Sequence, residues 1–357
     1  MSIKKVAILT SGGDAPGLNG VIRAFVKSAV IDHGWEVVGV EDGFEGMIGT
    51  PRLRPLRNSD VRGLLGRGGT ILGSTNRGNF GWHNVDGEMV RHDAVYQEFA
   101  HNAKAEGIDA VVVLGGDGSQ SIAHDLYTFG APMIGVPKTI DNDLVGTDQT
   151  FGFDTALQVA TDALDRLHTT AESHDRVMVL EVMGRHAGWI ALAAGLAGGT
   201  EAILIPEIPF DLDVVARKIA DRDAAGALFS IIVIAEGAMP KGGTATYQRE
   251  GLLGGIGMQV AAELGQRTGK DTRAVVLGHL QRGGSPTPID RILASRYGVG
   301  AVWAISQGRF GQLVALQNDI LTTVPLLECA NKIKPVPVEG QLVRTARSLG
   351  IVFGDEQ

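Results

Sequence analysis

The 357-residue sequence predicts an α/β protein with mainly parallel sheets, and three observations carry the prediction. Strand-like apolar runs alternate with helix-like stretches almost throughout, the pattern of a parallel sheet wrapped by helices. Runs such as Ala110-Val111-Val112-Val113-Leu114 and Met133-Ile134-Gly135-Val136 are continuously apolar, as in strands buried on both faces. The length suits about two domains, each able to bury its own core.

The strands are expected at 4–9, 36–40, 110–114, 133–136, 177–182, 202–205, 230–235 and 273–277. A helix is expected from about Asn19 to Val30. Asp154 reads as the N-cap of another, with an apolar face of Leu157, Ala160, Leu164 and Leu167 at helical spacing. A polar stretch from His168 to Asp175 follows, and at Arg176 a second βα series begins. We therefore place the chain crossings near residues 152 and 286. This gives a first domain of 1–152 plus roughly 286–320, a second of 153–285, and a C-terminal extension over 321–357. The Gly- and Pro-containing stretch 237–257 reads as mobile surface segments.

Composition excludes several classes. With 32 Lys+Arg against 40 Asp+Glu the net charge is -8, so there is no chain-wide basic footprint for nucleic acid. The single cysteine, Cys329, excludes an intrachain disulfide and fits a reducing compartment. Val6-Ala7-Ile8-Leu9 is too short for a signal peptide or membrane span, and no other stretch nears the ~20 apolar residues a span needs. A soluble cytoplasmic protein is expected, with no membrane contact. Glycine is abundant, 50 of 357 or about 14%, twice the usual ~7%. The glycines stand at the ends of apolar runs, where backbone amides can approach phosphates.

The chemistry-bearing loops follow those runs. Ligands of open α/β sheets bind outside the carboxyl ends of strands. Gly12-Gly13 leads from the first strand towards a helix; the turn either presents amides to an anion or only reverses the chain. Gly115-Gly116-Asp117-Gly118-Ser119 repeats the form with a carboxylate. Asp117 reads either as a Mg²⁺ ligand or as a helix N-cap or turn aspartate. In Lys138-Thr139-Ile140-Asp141-Asn142-Asp143 an extended backbone would point Asp141 and Asp143 to one side, one facing a hydroxyl nucleophile and the other a metal or positioning group; a solvated acidic turn is the alternative. Basic residues also stand at strand ends. Arg185 lies in Met183-Gly184-Arg185-His186 and Arg282 in His279-Leu280-Gln281-Arg282, while Arg77, Arg176 and Arg273 add three more cations. Arginine forks match phosphate oxygens bidentately. Glu236 ends a buried strand, where it can accept sugar hydroxyls; His279 is either a donor to phosphate or hydroxyl or a structural histidine.

Read in order, Leu-Thr-Ser-Gly-Gly-Asp-Ala-Pro-Gly-Leu-Asn (9–19), Gly-Gly-Thr-Ile-Leu-Gly-Ser (68–74), Gly-Gly-Asp-Gly-Ser (115–119), Pro-Lys-Thr-Ile-Asp-Asn-Asp (137–143), Glu-Val-Met-Gly-Arg-His-Ala-Gly (181–188), Leu-Gly-His-Leu-Gln-Arg-Gly-Gly-Ser-Pro (277–286) and Asp-Arg-Ile-Leu-Ala-Ser-Arg (290–296) resemble the phosphofructokinase family over most of the chain. The resemblance implies two similar three-layer α/β domains with the active site in the interdomain cleft. It also implies Mg²⁺-dependent transfer of a γ-phosphoryl group from ATP to the 1-hydroxyl of fructose 6-phosphate, and a homodimer or homotetramer with shared sites. Residue by residue, it makes Asp141 the base, Asp117 the Mg²⁺ ligand, and Asp143 a support for metal or acceptor. Thr139 and Arg185 stabilise the transferring phosphoryl. Gly13, Gly116, Gly118 and Ser119 face the donor, as does Arg77, which is displaced by one residue from the family pattern so that Asn76 competes for its place. Met183, Gly184, Glu236, His279 and Arg282 bind the sugar phosphate from one subunit, and Arg176 and Arg273 reach it from a neighbour. Effector contacts through Arg23, Lys27 and Arg57 are left open.

Donor choice turns on two residues. Relatives that use pyrophosphate resemble this chain at Lys138 but carry an aspartate at the place of Gly118, where its charge would occupy the space of an α-phosphate. Gly118 argues for ATP; Lys138 argues for pyrophosphate, although a flexible lysine can swing aside. Two other readings remain: a kinase of another type sharing only Gly-Gly-Asp-Gly, and a binding subunit that has lost catalysis. A Rossmann oxidoreductase lacks its Gly-x-Gly-x-x-Gly here.

Overall fold

The computed structural model describes residues 3–75, 80–85, 88–249 and 252–356. By contacts the chain forms two compact units. The first is Met1–Ile140, Leu144–Asp154 and Arg282–Ile333; the second is Asp141–Asp143, Thr155–Gln281 and Lys334–Gln357.

The first unit is built on a seven-stranded sheet. Its order is Ile320–Pro325, Gln312–Gln317, Met133–Pro137, Ala110–Gly115, Lys5–Thr10, Glu36–Val40 and Leu53–Pro55. The inner pairs are parallel, and the two edge strands run antiparallel to their neighbours. Every residue of Ala110–Gly115 and Met133–Pro137 is buried, as their unbroken apolar sequences require. Helices Leu18–His33 and Pro288–Ser306 pack together over one apolar core, and Phe99, Tyr96 and Leu126 help to fill a second. Part of the glycine excess serves this packing and not phosphate approach: a Cβ on Gly298 would come within 2.7 Å of Ala24 Cβ and Val21 O.

The second unit has a four-stranded parallel sheet, ordered Thr272–Val276, Val177–Val182, Ser230–Ala235 and Ala202–Leu204. Helices Leu212–Ala224 and Ile256–Thr268 contribute Val215, Ile219, Val260 and Leu264 to its core. Within Val177–Val182, Glu181 is buried and accepts from Gly255 N at 2.9 Å and Gly257 N at 2.8 Å. A carboxylate inside a buried strand is thereby satisfied by the amides at the start of helix Ile256–Thr268, where the dipole favours negative charge.

Several expectations need correction. Helix Phe153–His174 begins one residue before Asp154, whose carboxylate accepts from Thr287 Oγ1 at 2.5 Å; Asp154 is not the N-cap. Its buried stripe is Ala156, Ala160, Leu164, Leu167 and Ala171, and Leu157 is only half-buried. The strand expected at 273–277 runs over Thr272–Val276 and lies at a sheet edge, with Arg273 and Val276 exposed. Residues 321–357 do not form a body of their own: Ile320–Pro325 completes the first sheet, and Lys334–Gln357 groups with the second unit. Inside 237–257, Tyr247–Arg249 and Leu252–Leu253 pair antiparallel, and a helix starts at Ile256. No described helix is long and apolar enough to cross a membrane.

Candidate active site

The order of the first sheet reverses at Lys5–Thr10: Glu36–Val40 pairs on one side of it and Ala110–Gly115 on the other. Such a switch point opens a crevice outside the strand ends. Thr10 stands opposite Leu114, and Gly115 opposite Pro137, so the turns 11–17, 116–119 and 138–140 emerge side by side. Ser11 N donates to Leu114 O at 3.0 Å, Lys138 N to Gly115 O at 3.0 Å, and Ser119 Oγ to Ser11 Oγ at 3.0 Å. Gly115 has to be glycine, because an added Cβ would fall 2.2 Å from Ser119 Cβ. Ser74 Oγ donates to Gly12 O at 2.6 Å, which ties the 68–75 segment to the first turn.

Asp117 is the first residue of helix Asp117–Thr128, and Gly116 is the N-cap. The carboxylate is therefore in the first helical turn, beside amides without intrahelical partners, and is not itself the cap. Gly118 follows on the exposed side, with nothing within 4 Å of where a Cβ would stand.

Lys138 does not behave as the flexible lysine of the sequence reading. It is 4% exposed, and its ammonium donates to the Gly13 carbonyl. Arg282, expected at the sugar phosphate, also lies against this turn: Nη1 donates to Asp14 O at 3.1 Å, and a Cβ on Gly13 would be 2.9 Å from it. Two cations thus hold one face of the Gly13 turn by its carbonyls. Half-buried Thr139 accepts at its carbonyl from Thr150 Oγ1 at 2.7 Å. Asn76 and Arg77 lie outside the described residues.

The Asp141–Asp143 turn belongs with the second unit. Asn142 is left-handed, with φ 52°, so the backbone is not extended and the alternation that would point Asp141 and Asp143 to one side does not apply. Asp143 is buried and Asp141 half-buried.

The second sheet has its own switch point, at Val177–Val182 between Thr272–Val276 and Ser230–Ala235. Met183-Gly184-Arg185, Glu236 and the Gly278–Arg282 turn leave the carboxyl ends of these strands. Glu236 N donates to Val182 O at 2.9 Å and Leu277 N to Glu181 O at 3.0 Å, fixing the three exits together. Gly184 adopts φ 141°, a conformation closed to L side chains. Arg185 and His279 are exposed, Met183 is buried, and Glu236 is half-buried. Arg176 and Arg273 lie at the opposite, amino-terminal end of the same sheet: Thr272 pairs with Val177. A six-residue strand spans about 20 Å, so the two arginines do not share a ligand with Arg185 within one chain. Both are held by Asp271, Arg176 Nε at 2.7 Å and Arg273 through Nη1, and the Arg176 hydrogen bond foremost lowers the carboxyl below its ordinary range. Asp271 was not singled out from the sequence, because nothing local marks it, and Lys334 was read only as part of the C-terminal extension. On the helix Leu18–His33, Arg23 and Lys27 are half-buried one turn apart, and Arg57 is exposed.

The fold and these strand-end groups define an α/β protein with glycine-rich and charged loops at the carboxyl ends of its strands, beside two switch points. The chain belongs to the phosphofructokinase family, whose model matches residues 5–305. It is 60% identical over 353 residues to the ATP-dependent 6-phosphofructokinase of Chloroflexus aggregans, covering 99% of this chain and 98% of that one. It is 48% identical over 342 residues to the pyrophosphate–fructose 6-phosphate 1-phosphotransferase of Amycolatopsis methanolica, covering 94% and 97%. Phosphofructokinase from Saccharomyces cerevisiae superposes on 91% of the chain with TM-score 0.79 and 33% identity; this chain spans 45% of that one.

Proposed function

We propose that this protein is a 6-phosphofructokinase that transfers the γ-phosphoryl group of ATP to the 1-hydroxyl of fructose 6-phosphate, a glycolytic reaction of the cytoplasm. The observation that carries ATP over pyrophosphate is Gly118: exposed, in the first turn of a helix, with open space where a side chain would project. A donor larger than pyrophosphate is admitted there. Lys138 supports the same choice, since its ammonium is engaged by the Gly13 carbonyl inside the protein. The 60% identity to an ATP-dependent relative agrees, whereas relatives near 48% include both donor types.

Asp141 takes the proton of the acceptor hydroxyl as the hydroxyl oxygen attacks the terminal phosphorus and the bond from that phosphorus to the bridging oxygen breaks, releasing ADP. Thr139 and Arg185 stabilise the charge on the transferring group. Amides of Gly13, Gly116, Gly118 and Ser119 orient the donor phosphates, and Met183, Gly184, Glu236 and His279 the sugar phosphate. Arg282 serves from the Gly13 turn, and Asp143 supports the acceptor side. Mg²⁺ keeps several waters and takes one or two carboxylates plus substrate phosphates. A lone half-buried Asp117 beside free amides fits that mode, and no cluster of three His, Cys, Asp or Glu ligands occurs among the described residues. Bound there, the ion neutralises phosphate charge. Arg176 and Arg273 serve a neighbouring subunit's sugar phosphate, which their place at the far end of the sheet supports. Turnover of fructose 6-phosphate with ATP or with pyrophosphate tests the donor. ATP-supported turnover is expected; activity with pyrophosphate alone overturns it.

A further inference from the structure

The segment after Ile333 touches the Asp141–Asp143 turn directly. Lys334 N donates to Asp143 O at 2.7 Å, and Lys334 Nζ lies 3.5 Å from Asn142 Oδ1. Lys334 is itself held in place. Its carbonyl accepts from Trp189 Nε1 at 2.9 Å, and its ammonium stands 5.6 Å from the centroid of the same indole. Two residues on, Val336 N donates to Glu207 Oε1 at 2.7 Å, and both Glu207 oxygens lie 3.1 Å from Gly188 N, the N-cap of helix Trp189–Ala197. Further along, Val352 bridges to Ala202, with Ile203 N to Val352 O at 2.9 Å. The segment is therefore anchored on a helix start and a strand edge after it contacts the turn.

The turn needs such support. Left-handed backbone costs most L residues about 1 kcal/mol or more and asparagine less, and φ of Asn142 is 52°. Two hydrogen bonds of about 1 kcal/mol each offset it.

We infer that Lys334 is a positioning residue for phosphoryl transfer: the anchored C-terminal segment holds the Asp141–Asp143 turn in the one arrangement that presents Asp141 to the acceptor hydroxyl. The inference rests on Asp141 being the base. Misplacement of a reacting group by about 1 Å costs up to ~10²-fold in rate, so loss of the Lys334 ammonium is expected to act on kcat.

The experiment is a double-mutant cycle on the full-length protein. Lys334→Met keeps the stem and the backbone donor but removes the ammonium; Trp189→Phe keeps a ring but removes the indole N–H. Each is expected to lower kcat about tenfold while the KM for ATP is unchanged, and Lys334→Arg to recover part of the loss. In an Asp141→Asn background, Lys334→Met is expected to have no further effect, because there is no base left to position. Wild-type kcat in both Lys334→Met and Trp189→Phe, or an equal loss from Lys334→Met in the two backgrounds, overturns the inference and leaves Asp141 as base. Full activity of Asp141→Asn overturns both.

Discussion

The two strand-end loops 115–119 and 137–143 leave adjacent strands, with Gly115 paired to Pro137, yet they are held by different means. The first enters a helix at once. Gln120 N bonds to Gly116 O at 2.9 Å and Gln120 Nε2 to Gly115 O at 2.8 Å, both within five residues, while Ser119 Oγ reaches Ser11 Oγ just past the neighbouring strand at 3.0 Å. The second enters no helix until Phe153, passes through a left-handed Asn142, and is tied down by Lys334 from 192 residues away. A loop that offers backbone amides is set up by local geometry. One that must aim a carboxylate is set by distant contacts.

The largest test of this contrast is Asp141→Asn. Loss of a general base is expected to lower kcat by about 10²- to 10⁴-fold, with folding unchanged by thermal melt; a loss under tenfold would remove Asp141 from the chemistry. Gly118→Asp probes the other loop. Its side chain meets open space, so stability should hold, while like-charge juxtaposition costing several kcal/mol raises the KM for ATP by about a hundredfold or more. An unchanged KM would mean that the donor does not pass this helix start. Smaller again is Asn142→Ala, expected to cost about 1 kcal/mol more in urea unfolding than Asn142→Gly, because both lose the Oδ1 acceptor but only alanine strains the left-handed turn; equal costs would show that the turn is not strained.

The smallest effect concerns Glu207, the anchor of the C-terminal segment. Burial foremost raises its carboxyl, against the hydrogen bonds from Val336 and Gly188. A raised carboxyl in the folded state binds its proton more tightly than in the unfolded chain, where it titrates near 4.3. Its contribution to stability is thus greatest below that value and is lost as pH rises through the folded pKa. Between about pH 4.3 and neutrality, wild type is expected to lose stability relative to Glu207→Gln. Parallel urea-unfolding profiles for the two proteins would refute this.

Much of the fold was legible. Eight strands could be read because each is a short, largely apolar run, most of them buried on both faces, and that signal is local. The hairpin of Gln312–Gln317 and Ile320–Pro325 went unread, although Asn318 and Asp319, with φ of 51° and 63°, are both residue types that tolerate the left-handed backbone of a tight primed turn. Edge position was not legible either: Ala274-Val275-Val276-Leu277 reads as an apolar run like the others, and only the sheet order places it at an edge with Val276 and Arg273 exposed.

The sequence by itself determined where turns rich in amides, carboxylates and arginines follow buried strands, because hydrophobic period and turn chemistry act over a few residues. Its motifs were enough to assign the family. Only the tertiary structure decided which groups those turns meet. Lys138 is spent on the Gly13 carbonyl, Arg176 and Arg273 converge on Asp271 at the far end of their sheet, and Lys334 takes hold of Asn142 and Asp143. Each pairing depends on two chain segments being brought within hydrogen-bond reach by packing between them, and no local pattern encodes that distance.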